Sequence, residues 1–189
     1  MHEVIDSKKS SQKQTQTKMP ESIPLLVLGL SSKFNASDFL THLKVDPEQC
    51  SQIESATHDQ YLNPIWYEQR KGRITASKFY RVCTRTASCL SDKSKNAENL
   101  VKEIMGKNRK CQTLAMKHGL AMEPHAKRKL IEIFKLNHKK VTASESGLVV
   151  CSEYPHLGAS PDLILSCSCH GQFVVEIKCP ESIKMHAPT

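Results

Sequence analysis

The 189-residue chain has no secretory signal pattern and no apolar run long enough to cross a bilayer. Ser, Gln, Lys and Thr crowd its first twenty residues, where a signal peptide would carry an apolar stretch. Ile23 to Leu30 is apolar but only eight residues long and contains Pro24 and Gly29, well short of the ~20 residues of a spanning helix. These absences predict no membrane contact and an intracellular, reducing location, nuclear in a eukaryote and cytoplasmic otherwise. The eight cysteines are then expected to be free thiols. Aromatics are scarce at 5%, with one tryptophan, Trp66, expected to anchor a core rather than to stack on bases. No standard zinc-finger spacing occurs. Cys167-Ser168-Cys169-His170, with Cys151 and Cys179 nearby, is the group nearest to one. Because Cys151 and Cys179 fall in apolar runs, where cysteine packs as a small hydrophobe, zinc is not expected.

Acidic charge is also scarce, but only locally. Residues 66–140 carry 19 basic and 6 acidic groups, a net +13, whereas 1–65 and 141–189 are net −2 and −3. A basic stretch feeding an acidic one suits a polyanionic substrate, since cations track phosphates while carboxylates hold a metal. A solvated, lysine-rich helical surface is the alternative.

Residues 1–19 read as a disordered tail and 20–62 as a helical extension. Asp46-Pro47-Glu48 is a strong helix start, predicting a helix to about Tyr61. Trp66 to Val82 reads as short helical pieces around Gly72, Ala97 to Met105 as a helix, and Gln112 to about Leu136 as a long amphipathic helix. Gly119 and Pro124 within it imply a kink or close packing. Strands are expected at 140–143 and 148–152, followed by a hairpin of Gly158–Leu165 and Phe173–Cys179 turning through Ser166–Gly171. The fold class is therefore α+β, with N-terminal helices packed on a small mixed sheet.

That hairpin carries Asp162 on one side and Glu176-Ile177-Lys178 on the other. Residues two apart on a strand share a face, so Glu176 and Lys178 point together and Asp162 can face Glu176. Two carboxylates this close repel unless a cation lies between them, and few hard oxygen ligands suit magnesium, which keeps several waters. The lysine can orient an attacking water or neutralise charge developing on a phosphate. An acid-x-Lys triplet arises by chance about once or twice in a chain of this length, and Asp6-Ser7-Lys8 is another. Charges placed in the apolar run Phe173–Cys179 would be costly without a function. Glu123 is a third candidate acid, and Arg70 could grip a terminal phosphate through its planar fork.

The order of motifs resembles the YqaJ-like viral recombinase family, which is lambda-exonuclease-like. The resemblance runs through Trp66-Tyr-Glu-Gln-Arg70-Lys-Gly72-Arg-Ile-Thr75-Ala-Ser77, His118-Gly119 with Glu123, Ser160-Pro-Asp162, and Glu176-Ile-Lys178-Cys-Pro180. It implies a PD-(D/E)XK nuclease domain over 63–189. In that scheme Asp162, Glu176 and the Ile177 main-chain carbonyl bind the catalytic Mg2+ (or Mn2+), and Glu123 helps a second metal or its water shell. Lys178 positions water, Arg70 recognises a 5′-terminal phosphate, and Ser77 and Ser160 are polar partners. The implied reaction is 5′-to-3′ degradation of double-stranded DNA ends, with a single-strand annealing recombinase as a possible partner and homo-oligomers among relatives. Leu163 stands where the family usually has Gly, and only nine residues follow Pro180. A C-terminally truncated domain, weakly active and self-associating through an uncovered apolar strand, is the expectation. An endonuclease on the same fold and a DNA-binding module without turnover are the competing readings.

Overall fold

The computed structural model describes residues 44–107 and 112–182. The tail at 1–19, the apolar run at 23–30 and most of the extension to residue 62 lie outside the described residues.

Helix α1 (Pro47–Ala56) begins where the sequence predicts. Asp46 accepts from the Gln49 N–H at 2.8 Å and Gln49 Oε1 accepts from the Asp46 N–H at 3.1 Å, a reciprocal cap. It ends five residues earlier than Tyr61 because Thr57 turns inward. The Thr57 hydroxyl donates to Ile53 O at 2.6 Å and accepts from the Leu148 N–H at 2.7 Å. A 3-10 turn (Gln60–Leu62) leads to Asn63, whose side chain caps the Ile65 N–H at 2.9 Å and starts α2 (Pro64–Arg70). Gly72, at φ +77°, supplies the left-handed residue that reverses the chain into β1 (Ile74–Thr75) and α3 (Ala76–Ser91).

Helix α4 (Glu98–Ile104) follows, then α5 (Leu114–Asn137), capped by the Thr113 side chain. Helix α5 continues as one element through Gly119 and Pro124. At Gly119 a Cβ would lie 3.8 Å from the Cys179 carbonyl oxygen, an ordinary contact, so close packing does not demand the glycine.

The remaining strands are β2 (Thr142–Ser144), β3 (Val149–Val150), β4 (Leu157–Ala159), β5 (Leu163–Cys167) and β6 (Gly171–Val175). Among the described residues the strands form two sheets, not one. The first, ordered β1-β4-β3, pairs β1 with β4 in parallel and β3 with β4 antiparallel; the second, β2-β5-β6, is antiparallel throughout. The run Gly158–Leu165 is thus broken at Ser160-Pro161-Asp162, where the chain leaves the first sheet for the second. Proline has no N–H to donate to a ladder, so this is where pairing stops.

The core joins α1 to the first sheet. Ile53, Leu148 and Val150 are buried together, with Cys50 and Trp66 packed against them. The helix ahead of the motif-bearing region therefore shares its core. The approach is tight at Gly147, where a Cβ would fall 1.9 Å from the Glu54 carbonyl oxygen. The Glu54 carboxylate also accepts from the Gly147 N–H at 3.0 Å and from Ser146 Oγ at 3.1 Å. Its burial opposes ionisation, but these hydrogen bonds and His58 hold its carboxyl below the usual glutamate range.

Candidate active site

Asp162 and Glu176-Ile177-Lys178 flank the open end of the β5–β6 hairpin. Leu163 pairs with Val175, so Asp162 and Glu176 stand opposite one another one step beyond the ladder. The Ile177 N–H closes the gap by donating to Asp162 Oδ2 at 2.6 Å. Glu176 and Lys178 do project together and form an ion pair through Oε1 and Nζ.

The surroundings agree with the expected uncovered apolar strand, but not with a buried run in which charges would be costly. Strand β6 ends at Val175, so the triplet lies just past it, and most of β6 is exposed. The side chains of Glu176 and Lys178 are 59% and 75% exposed. Their charges meet water, so no cost of burial marks them as functional. What marks the site instead is the clustering of like charges. Burial raises Asp162 above the ordinary aspartate range, with the charges of Glu176 and Glu123 adding to it against the Ile177 N–H and Lys178. The hydrogen bond from Lys178 to Glu176, then the charges of Glu176, Asp162 and Glu123, lift the ammonium above the usual lysine range despite partial burial. Three carboxylates from two elements therefore act on one ammonium, and Glu123 of α5 lines the same cleft as Ile177 and Lys178.

Glu123 is held in turn by Lys127, one helical turn on, at 2.9 Å. Lys127 also reaches Glu145 at 3.4 Å. Burial pushes Lys127 down, but hydrogen bonds and charges from Glu123 and Glu145 outweigh it and leave the lysine raised.

A cleft of about 1060 Å³ runs beside these groups, and Arg70, Ser77, Glu123, Ile177 and Lys178 all line it. Arg70 lies on the face of Trp66, with its guanidinium carbon 3.9 Å from the ring centroid. Burial lowers its pKa from the ordinary arginine value, and it makes no ion pair among the described residues. A partly desolvated cation without a carboxylate is suited to an external anion. Ser77 stands in the first turn of α3, its hydroxyl 3.3 Å from that of Thr75. Ser160 is placed differently from the other candidates, since its Oγ accepts from Trp66 Nε1 at 2.8 Å. Trp66 thereby serves both expected and additional ends, packing on the core while its rim ties α2 to the turn that carries Asp162.

The match that decides the family covers residues 65–189, which fit the model of the YqaJ-like viral recombinase domain. The chain belongs to the YqaJ family. That family is one of recombination-related nucleases, and the mixed helices and small sheets agree with it in class. Neither a curated protein nor a solved structure matches the chain. No helix among the described residues is long and apolar enough to cross a membrane.

Two positioning residues escaped the sequence reading. Gln60 Nε2 donates to Ser146 O at 2.7 Å and to Pro161 O at 2.9 Å, fixing the turn before Asp162 from a hundred residues away. Arg73 is 1% exposed and donates through Nε to Gln69 O at 2.8 Å and through Nη1 to Pro155 O. The long-range bonds carry no local signal, because Gln60 and Arg73 reach main-chain carbonyls of distant loops at Ser146, Pro161 and Pro155. Lys127 could have been found from its i,i+4 spacing to Glu123.

Proposed function

We propose that this YqaJ-family chain is a metal-dependent deoxyribonuclease of PD-(D/E)XK type that degrades duplex DNA from its ends, 5′ to 3′, leaving a single strand for recombination. The observation that carries the reading is the meeting of Asp162, Glu176, Glu123 and Lys178 beside a cleft that also holds the Arg70 guanidinium, which has no carboxylate partner among the described residues. The donor set fits a hard divalent cation. It is made of carboxylates whose charges act on one another, and Glu176 is open enough to leave room for water ligands. Asp162, Glu176 and the Ile177 carbonyl would hold Mg2+, with Mn2+ as a substitute, and Glu123 would serve a second ion or its water. A bound divalent cation supplies Lewis-acid polarisation of the scissile phosphate and a more acidic water.

The chain's own groups do the rest. Lys178, kept protonated by Glu176, orients a water or offsets charge growing on the phosphate oxygens. Arg70, set over the Trp66 ring, grips a 5′-terminal phosphate, with Ser77 as a hydroxyl partner nearby and Ser160 fixing the Trp66 ring. The +13 stretch of 66–140 tracks the duplex backbone. A homo-oligomer and a single-strand annealing recombinase are the partners this reading implies.

A 5′-labelled linear duplex compared with a covalently closed circle tests it, since an exonuclease requires an end. Glu176→Gln, Asp162→Asn and Lys178→Ala are each expected to lower cleavage by about a hundredfold or more while duplex binding is retained. Arg70→Ala should erode the preference for 5′-phosphate over 5′-hydroxyl ends more than it weakens overall affinity. Unchanged digestion by Glu176→Gln would remove the site assignment. Cutting of the closed circle would replace end-directed action with internal cleavage.

A further inference from the structure

We propose that His138, Cys167, Cys169 and His170 form a structural zinc site that clips the C-terminal end of α5 to the β5–β6 turn. The four donor atoms lie within 4.8 Å of one another, and they come from two separate elements. His138 caps the C-terminal end of α5 just after Asn137, Cys167 is the last residue of β5, and Cys169 and His170 lie in the turn that follows. Cys151 and Cys179, weighed as ligands from the sequence, are not in the group.

Five of the six donor–donor separations are close to those of a tetrahedron, and the sixth, Cys169 to His170, is within 4.8 Å. With Zn–S ~2.3 Å and Zn–N ~2.0–2.1 Å, tetrahedral angles place S–S at about 3.8 Å, S–N at about 3.6 Å and N–N at about 3.3 Å. The Cys167 and Cys169 sulfurs are 3.5 Å apart. His138 Nδ1 is 3.5 Å from both sulfurs, and His170 Nδ1 is 3.8 Å from Cys167 Sγ. The two Nδ1 atoms are 3.2 Å apart. Two thiols and two imidazoles give a Cys2His2 set, whose soft and borderline donors select zinc over the magnesium that carboxylates hold. Four protein ligands leave no open position, so the site is structural and not hydrolytic.

The surroundings brace the donors. The His138 ring stacks on Phe134 at 3.9 Å, and Phe134 meets Phe173 of β6 edge-on at 5.7 Å, so an apolar wall backs the cluster. The turn is held by Lys139 O, which accepts from Ser168 N at 3.0 Å and from Ser168 Oγ at 3.1 Å. Gly171, at φ +82° with open space where a Cβ would stand, lets the hairpin fold back so sharply. The clip acts at the far end of the two elements that bring Glu123 and the Asp162/Glu176 pair together, so it fixes their relative setting without touching the cleft. Its formation is independent of whether the chain cleaves DNA.

The full chain, purified without chelator and passed over a desalting column, is expected to retain ~1 zinc per molecule by elemental analysis. Replacing zinc with Co2+ should give thiolate-to-cobalt charge transfer and the intense visible bands of a tetrahedral ion. Cys169→Ser and His170→Ala alter exposed positions, so the fold should survive, as circular dichroism would verify. Each should weaken zinc binding by more than the ~10–100-fold that outer-shell changes cost. Cys83→Ser, an exposed cysteine of α3, should bind as the parent does. Zinc content near zero after incubation with excess zinc, or equal content in the parent and in Cys169→Ser/His170→Ala, would overturn the proposal.

Discussion

Trp66 serves two partners at once: its indole N–H donates to Ser160 and its face carries Arg70. Removing the acceptor by Ser160→Ala leaves a partly buried donor unsatisfied, which costs roughly 1–3 kcal/mol and frees the ring on which Arg70 rests. Urea titration should register that loss, and discrimination between 5′-phosphate and 5′-hydroxyl ends should fall with it. Asp162 yields a prediction in pH. Its carboxyl is raised in the folded state by burial and by Glu176 and Glu123, so folding favours its protonated form. The stability this contributes is fully present below the ordinary aspartate value of about 3.9 and is lost as pH rises through the raised value. In metal-free solution Asp162→Asn should therefore melt above the parent at neutral pH, with the gap narrowing below about pH 4. Magnesium should stabilise the parent more than the variant, because the charge that destabilises the metal-free fold is the one proposed to hold the ion.

At the level of elements, the site is set by loops that α1 and the 3-10 turn hold in place. Gln60 sits at φ +43°, a left-handed conformation that a non-glycine residue adopts at a cost, and its amide bridges Ser146 O and Pro161 O. Gln60→Ala keeps the backbone cost and abandons both carbonyls, for an expected loss of about 1–3 kcal/mol. Gln60→Gly loses the same bonds but relieves the backbone, so it should be the less damaging of the two by chemical denaturation. At Gly147 there is no room at all. Gly147→Ala would drive a methyl group into the Glu54 carbonyl, and the loss should be at least the ~1–3 kcal/mol typical of overpacking. The β5–β6 hairpin, by contrast, is local: a fifteen-residue reach from Asp162 to Ile177 brings these candidate residues together. That is why the pairing of Asp162 with Glu176 could be foreseen from the sequence.

Over the whole molecule, the separation of charge governs how DNA would be met. With 19 basic residues between 66 and 140, duplex binding should weaken steeply with salt, and equally so in Glu176→Gln, because cation release and not the site supplies that affinity. Strand β6 is at the edge of the second sheet, with Val174 73% exposed and Phe173 38% exposed. An open apolar edge invites pairing with another chain. Val174→Lys should reduce self-association in light scattering without altering the melting temperature greatly, as the residue covers little of the core.

By itself, the sequence determined the α+β class, the helix start at Asp46-Pro47, the long helix bearing Glu123, and the facing of Asp162 with Glu176. Each of these depends on short-range rules: proline and side-chain caps, a 3.6-residue period, and the register of one hairpin. The tertiary structure decided what those rules do not reach. It split the run Gly158–Leu165 between two sheets, because Pro161 interrupts the ladder and Gln60 holds its carbonyl. It left Glu176 and Lys178 in water, because they lie just past the end of β6, whose own residues are mostly exposed. It turned Ser160 toward Trp66, 94 residues away, and brought His138 to Cys167 across 29. No periodicity links such residues, since their meeting follows from how helix and hairpin pack and not from either alone.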